Sequence, residues 1–227
     1  MSLRDYLSTQ KWAILSLRRI AKSMKRPIAT ILRLIFPISR SSKLLEFKSG
    51  FSLIVPSWYH FQSIAETILL NAYHFPPLGT VTGCVIDVGA SIGDFVISVR
   101  LSGHKGRIYA FEPDPISFGI LQKNIELNDL HDVYSFNEAA DGQSLLRILD
   151  IEKHIGFLKV DCEGCEYEFF KNVGESYLRN VAEIHMESHD FHHHRPPELE
   201  ELFVSAGFNV KSEKLGGCPY LHATTRV

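Results

Sequence analysis

The apolar run Cys84–Val88 passes straight into Gly89-Ala90-Ser91-Ile92-Gly93. Glu112 stands 19 residues beyond Gly93, at the end of a second apolar run. Glycines at a strand-to-helix turn let a ligand approach the backbone closely. Open α/β sheets bind ligands at the carboxyl ends of their strands, where the strand order reverses. An acid about 20 residues further on suits two vicinal ribose hydroxyls, since a carboxylate only accepts hydrogen bonds. The loop lacks the Gly-x-Gly-x-x-Gly dinucleotide pattern and the Gly-Lys-Ser/Thr that grips phosphates. The ligand that fits is a nucleoside without a pyrophosphate, S-adenosylmethionine (SAM). Asp87, just before the turn, can hold it or pair with a cationic ligand.

A second group of reactive side chains follows. Asp161 and Glu163 close one apolar run, and Glu187 and His189 follow another. Period-two alternation puts His185, Glu187 and His189 on one face. Together they would form an acid-rich pocket above a transferring methyl group. Asp161, Glu187 and His189 are equivalent candidates for the base that a poorly nucleophilic hydroxyl needs. Lys159 inside its apolar run reads as a residue that positions Asp161 or Glu163. No metal site is assigned. Asp161, Glu187 and His189 are a plausible magnesium set, but carboxylates at strand ends are common in such sites. In His189-Asp190-Phe191-His192-His193-His194, the three consecutive histidines share no face of a helix or strand. Cys162 and Cys165 read as small packing residues rather than a redox pair.

These residues need a frame, and the chain supplies one. Short apolar runs at 84–88, 107–111, 132–136, 156–160 and 181–187 alternate with helical stretches at 92–102 and 115–128. That pattern predicts a parallel sheet with right-handed crossovers. A helix at 197–206 and a closing hairpin from 208–213 and 220–225 follow. Upstream, residues 45–55 predict a hairpin around Ser49-Gly50, and 61–73 a helix stopped by Pro76 and Pro77.

The 227 residues are 45% hydrophobic and 22% charged, which excludes disorder and low-complexity architectures. The net charge of −2 is unevenly spread. Residues 1–48 carry 11 Lys/Arg against Asp5 and Glu46, and the remainder carries 13 against 24 Asp/Glu. Residues 11–36 predict an amphipathic helix, or two joined at Pro27. Ala13, Leu17, Ile20, Ala21, Met24, Ile28, Ile31 and Ile35 lie on one face, opposite a basic arc. Such a helix suits peripheral contact with a membrane surface, or packing on the domain, or an organellar transit peptide. Four scattered cysteines make no disulfide framework and suggest a reducing, cytoplasmic setting.

VIDVGASIGDF (85–95), FEPDP (111–115), NEAADG (137–142) and LKVDCEGCEYEFF (158–170) together resemble the FkbM family of class I SAM-dependent methyltransferases. AETILLNAYHF (65–75) also resembles the family's helix ending in a tyrosine. The resemblance runs from about Leu44 to the C-terminus, so the chain divides into a basic extension, 1–43, and a methyltransferase domain, 44–227. Departures are Ser91, where Asn is common, and Cys162 and Cys165, where small apolar residues are usual. The resemblance implies a Rossmann-like α/β fold with a seven-stranded mixed sheet, order 3-2-1-4-5-7-6, strand 7 antiparallel. It implies that Asp87, Gly89, Ala90 and Gly93 surround the methionine part of SAM and that Glu112 holds the ribose. Pro113 and Asp114 would flank the adenine, with the turn of Asn137, Glu138 and Ala139 on its other side. Asp161 and Glu163 would sit beside the methyl group.

The expected activity is O-methylation of a hydroxyl on a sugar, glycan or polyketide-like small molecule. A nucleic-acid or protein methyltransferase is the alternative within the class. The Asn/Asp-Pro-Pro-aromatic motif for methylating base amines is absent, with DCEG in its place, and the acidic catalytic part disfavours phosphate backbones. No nucleic-acid partner is therefore expected. A SAM-binding, membrane-associated interaction protein without turnover is the alternative outside the class.

Overall fold

The computed structural model describes residues 22–28, 43–57, 60, 63–76, 80–171, 173–188, 196–215 and 218–225. A hairpin opens this part, β1 Lys43–Glu46 antiparallel to β2 Ser52–Val55. The main sheet contains β3 Cys84–Val88, β4 Ile108–Phe111, β5 Val133–Phe136, β6 Ile155–Val160, β7 Glu183–Glu187, β8 Phe208–Leu215 and β9 Cys218–Thr225. Its order is β5-β4-β3-β6-β7-β9-β8. Counted within the sheet this is 3-2-1-4-5-7-6, as the resemblance implies. The β5-β4-β3-β6-β7 part is parallel, and β9 runs antiparallel to both β7 and β8.

Strand alternation explains the two layers. Cys84, Ile86 and Val88 point into one core with Leu145, Ile148 and Leu149 of α3 (Gly142–Glu152), Phe169 and Phe170 of α4 (Glu166–Phe170), and Leu199 and Phe203 of α6 (Pro196–Ser205). Val85 points the other way, into a core with Phe95, Val96 and Val99 of α1 (Asp94–Leu101) and Leu121 of α2 (Pro115–Leu127). A short α5, Glu175–Leu178, precedes β7. α1, α2 and α6 lie where the sequence pattern predicts helices, whereas α3, α4 and α5 were not among the predicted elements.

The hairpin is fastened by α2. Asn124 Oδ1 accepts from the Ile54 amide at 2.7 Å, and Asn128 Oδ1 from the Ser52 amide at 2.7 Å. The Nδ2 groups of these asparagines donate back to the Ile54 and Ser52 carbonyls. Two asparagines at i, i+4 thus imitate a neighbouring strand and satisfy an edge that would otherwise stand open.

Residues 22–28 are helical only at 22–23 and 27–28, so of the two readings the interrupted one holds there. Met24 bridges antiparallel to Phe47 and is 1% exposed, in a core with Leu45, Phe47, Leu53 and Ile97. Backbone bonds Lys25 N to Glu46 O and Lys48 N to Ser23 O flank it. The helical pattern is interrupted at 24–26, next to the anticipated break at Pro27. Met24 thus packs on the domain, while Ile28 of the same predicted face is 74% exposed. The rest of the 11–36 pattern lies outside the described residues. Among them, no helix is long and apolar enough to cross a membrane.

Candidate functional site

A cleft forms where β3, β4 and β6 end. It measures about 460 Å³ and is lined by Gly89, Ser91, Glu112, Pro113, Asp161, Glu163 and residues of the 60–67 segment. The 89–93 loop is held from both sides. Gly89 and Ala90 donate to the Phe111 carbonyl, and Asp161 N donates to the Val88 carbonyl. Gly89, at φ 77°, would place a Cβ 1.7 Å from the Asp161 carbonyl oxygen, and Gly93, at φ 88°, one 2.7 Å from Leu121 Cδ1. Both glycines therefore answer first to the packing of the chain itself, a reason the motif alone does not reveal.

Glu112 lies at the centre of this arrangement. Its Oε2 accepts from Ser91 N at 2.7 Å and its Oε1 from Asp114 N at 2.8 Å. Two amides fix the carboxylate plane, and each oxygen keeps a lone pair for a hydroxyl donor. Asn137 Nδ2 donates to the Glu112 and Pro113 carbonyls, tying the end of β5 to that of β4. Asp114 caps α2, accepting from Ser117 N at 2.7 Å, and those hydrogen bonds hold its carboxyl below the usual range. Glu138 pairs with Arg147 at 3.1 Å, and Ala139 is exposed. Neither of these two, nor Asn137, is part of the cleft lining.

Beneath the loop lies a buried charge pair. Lys159 Nζ donates to Asp87 Oδ1 at 2.9 Å and to the Gly89 carbonyl at 2.9 Å, and stands 3.9 Å from Asp161 Oδ2. Asp87 is fully buried and reaches the loop through this ammonium, and its Oδ2 has no partner among the described residues. Burial pushes the Asp87 carboxyl up to about 6 despite the lysine. Lys159 holds the loop and Asp161 together, the positioning role its sequence context suggests.

Next to the cleft the carboxylates gather. Tyr73 OH donates to Asp161 Oδ2 at 2.5 Å, and Tyr220 OH to Glu187 Oε2 at 3.2 Å, with the two tyrosine rings in edge contact. Burial, then repulsion from Glu187, raises the Asp161 carboxyl above its ordinary value. Glu66 joins this set and was missed by sequence reasoning. Burial and the repulsion of Glu187, Asp161 and Asp94 push it up to about 7. It lies on a π-helical turn, Ala65–Leu70, where the sequence predicted an ordinary helix. Such turns accompany functional sites, but nothing in apolar spacing announces one. Tyr73 follows that turn, on the stretch that carries the family resemblance. His189 lies outside the described residues, and so does the histidine run.

Cys162 and Cys165 pack against the larger core, as their reading as packing residues expects, and are in addition joined by a disulfide, which that reading did not include. The bridge closes a turn around Glu163, at φ 55°, and Gly164, at φ 107°. It thereby constrains the segment that places Glu163 at the cleft wall. The inference from scarce cysteines to a reducing compartment loses its support at this pair.

A second cavity, of about 530 Å³, opens at the other end of the same sheet face, lined by His74, His185, Lys211, Glu213, His222 and neighbouring polar residues. Burial lowers the pKa of His185 and brings His222 down to about 4.

Comparison with known proteins is consistent with the cleft chemistry. Residues 141–210 match the methyltransferase FkbM domain, and residues 78–161 match the TRM5/TYW2 methyltransferase domain. The methyltransferase sdnD of Sordaria araneosa is 38% identical over 45 residues, a match spanning 20% of this chain and 17% of that protein. Among solved structures, M. capricolum TrmK, in complex with S-adenosylhomocysteine, aligns with a TM-score of 0.51 at 14% identity, covering 69% of this chain and 67% of that one. The ribosomal protein L11 methylase of Lactobacillus delbrueckii subsp. bulgaricus aligns with a TM-score of 0.50 at 15% identity, covering 76% and 83%. The precorrin-6y C5,15-methyltransferase of Geobacter metallireducens GS-15 does so at 0.50 and 16%, covering 73% and 88%. At these identities the structural likeness speaks for the fold alone.

Proposed function

We propose that this chain, whose residues 141–210 match the methyltransferase FkbM domain and 78–161 the TRM5/TYW2 methyltransferase domain, is a SAM-dependent methyltransferase that methylates a hydroxyl of a sugar, glycan or polyketide-like small molecule. The observation that carries this reading is the chamber of Asp161, Glu66 and Glu187 with Tyr73 and Tyr220 beside the cofactor cleft. Its carboxylates accept hydrogen bonds from a polyol and repel a phosphate backbone.

SAM, when bound, supplies an electrophilic sulfonium methyl. The residues present fit it: Glu112 offers an oriented carboxylate for the ribose hydroxyls, and Asp161 and Glu163 stand at the cleft wall. Asp161, held by Tyr73 and Lys159, orients the acceptor hydroxyl for in-line attack. Glu66, titrating near 7, takes the proton that this hydroxyl loses, because a base works best with a pKa close to the ambient pH. Glu187, engaged by Tyr220, completes the acceptor side.

The test is transfer of labelled methyl from SAM to a panel of hydroxylated glycans and small molecules, with RNA and protein acceptors alongside. Labelled ether products whose formation falls with Glu66→Gln support the proposal. Labelling of RNA or protein, with the hydroxylated panel inert, overturns it. So does SAM binding without turnover on any acceptor, which would favour an interaction protein.

A further inference from the structure

The second cavity holds side chains that methyl transfer does not use. His74 on the loop before Phe75, Glu213 on β8 and His222 on β9 come from three separate segments. Their ligand atoms all lie within 4.8 Å of one another. His74 Nε2 and His222 Nε2 each stand 3.1 Å from the same oxygen, Glu213 Oε1, and the two rings stack in parallel at 4.4 Å. Zinc bonds of 2.0–2.1 Å in tetrahedral geometry separate neighbouring ligand atoms by about 3.3 Å. The spacing between each imidazole and the carboxylate is therefore already that of a coordination edge, and the exposed His74 ring has only to turn out of its parallel stack on His222 to aim its Nε2 lone pair at a shared ion.

We propose that His74, Glu213 and His222 bind a divalent transition-metal ion of the zinc class, leaving one coordination position open to the cavity.

The surroundings of His222 give this an independent footing. Its Nδ1 lies 2.7 Å from His185 Nδ1, and His185 Nε2 lies 3.1 Å from Glu183 Oε2. The chain Glu183–His185–His222–Glu213 thus contains three polar contacts. Two neutral imidazoles carry only two N–H groups between them. One of the three contacts therefore lacks a proton, and in the arrangement where His185 Nε2 donates to Glu183 and His222 Nδ1 to His185 Nδ1 it is the contact of His222 with Glu213. The lone pair of His222 Nε2 then faces a carboxylate oxygen with no proton between them. A metal ion at that point replaces the missing proton. The ladder behind it is the outer hydrogen bonding that fixes the tautomer of a metal-bound histidine. Two imidazoles and one carboxylate form a donor set suited to zinc and its neighbours rather than to magnesium or calcium.

The consequence reaches the methyl-transfer chamber through one peptide bond. His74, at φ 48°, directly follows Tyr73, whose hydroxyl holds Asp161. A metal on His74 fastens this loop to the β8–β9 hairpin and fixes Tyr73 over the acid that orients the acceptor.

The experiment titrates metal-free full-length protein with Zn²⁺ by calorimetry, and with Co²⁺ by visible absorption, with thermal melts in parallel. His74→Ala and Glu213→Gln alter partly exposed side chains, and their metal-free melts establish that they fold. A triple variant, H192A/H193A/H194A, removes the histidine run as a competing site. The expected result is one equivalent of Zn²⁺, a tetrahedral Co²⁺ band and a raised melting temperature. All are retained in the triple variant, and both single variants weaken affinity by more than about 10-fold. Zinc binding unchanged in His74→Ala and Glu213→Gln, or lost with the histidine run alone, overturns the proposal, as does a full-length chain that binds no Zn²⁺.

Discussion

The two ends of one sheet face both bury titratable side chains, carboxyls at one and imidazoles at the other, and burial acts on them in opposite ways. A single register line crosses the sheet, pairing Asp87 with Lys159, Lys159 with His185, His185 with His222, and His222 with Lys211. At the β3–β6 end, burial raises carboxyls, with Asp87 near 6 and the adjoining Glu66 near 7, so these groups hold protons more tightly when folded. At the β7–β9 end, burial lowers imidazoles, so His185 and His222 resist protonation. The same desolvation thus brings carboxyls at one end close to proton exchange at neutral pH and keeps the imidazoles at the other end neutral.

The largest test of this contrast is removal of the buried cation. Lys159→Met leaves Asp87 uncompensated at 0% exposure, which costs about 3–5 kcal/mol. Urea melts should show that loss, with the loop released from Nζ and SAM affinity reduced. A loss under about 1 kcal/mol would mean that Asp87 simply becomes protonated and that the pair is not the anchor of the loop. Next comes Glu112→Ala. It deletes the acceptor proposed for two ribose hydroxyls, each hydrogen bond to a charged group being worth about 1.5 kcal/mol or more, so SAM affinity measured by calorimetry should fall by about 100-fold. Zinc binding at the opposite end should be unaffected, and a parallel loss there would break the division into two sites.

What the sequence revealed follows the same division. The loop 89–93 and Glu112 are local or spaced along two elements, and their motifs are readable in one pass, while the strand order came through the family resemblance those motifs carry. The histidine cluster is assembled by register. Residues 74, 185, 213 and 222 come from four segments, and no spacing links them until β7, β8 and β9 pair. Alternation did place His185 and Glu187 on one face, but their partners, His222 and Tyr220, depend on long-range antiparallel pairing. Glu66 escaped for a different reason. A π-turn rotates side chains away from the 100° spacing on which a helical reading rests. The disulfide escaped because Cys-x-x-Cys spacing alone does not distinguish a bridge from two packed thiols.

Reduction of Cys162–Cys165 should have a smaller effect. The loop closed is only four residues long, so its loss costs about 2 kcal/mol in the chain-entropy account. Urea melts with and without a reductant measure it, and SAM affinity should fall by less than in Glu112→Ala because Glu112 itself is untouched. An affinity loss as large as that of Glu112→Ala would make the Glu163-Gly164 turn, rather than the ribose carboxylate, the main determinant of the cofactor end.

The smallest effect discriminates best between the two ends, because it depends on sign. Glu66 has a folded pKa near 7 against an ordinary value of 4.5. Below about 4.5 both folded and unfolded chains hold this proton. As pH rises toward 7 the unfolded chain releases it first, so the contribution of Glu66 to stability is lost across that window. His222 acts in the reverse sense. Its folded pKa near 4 lies below the ordinary 6.5, so stability is lost as pH falls from about 6.5 toward 4. In the wild type the two slopes oppose each other between about 4.5 and 6.5. Glu66→Gln removes one of them. The stability of the variant relative to wild type should therefore rise with pH from about 4.5 to about 7, by about 1–2 kcal/mol once solvent screening is allowed for. Denaturant melts at half-unit pH steps measure this difference. A constant difference across the window would show that Glu66 is not held protonated by burial and its acidic neighbours, and would remove it as the proposed proton acceptor for the incoming hydroxyl.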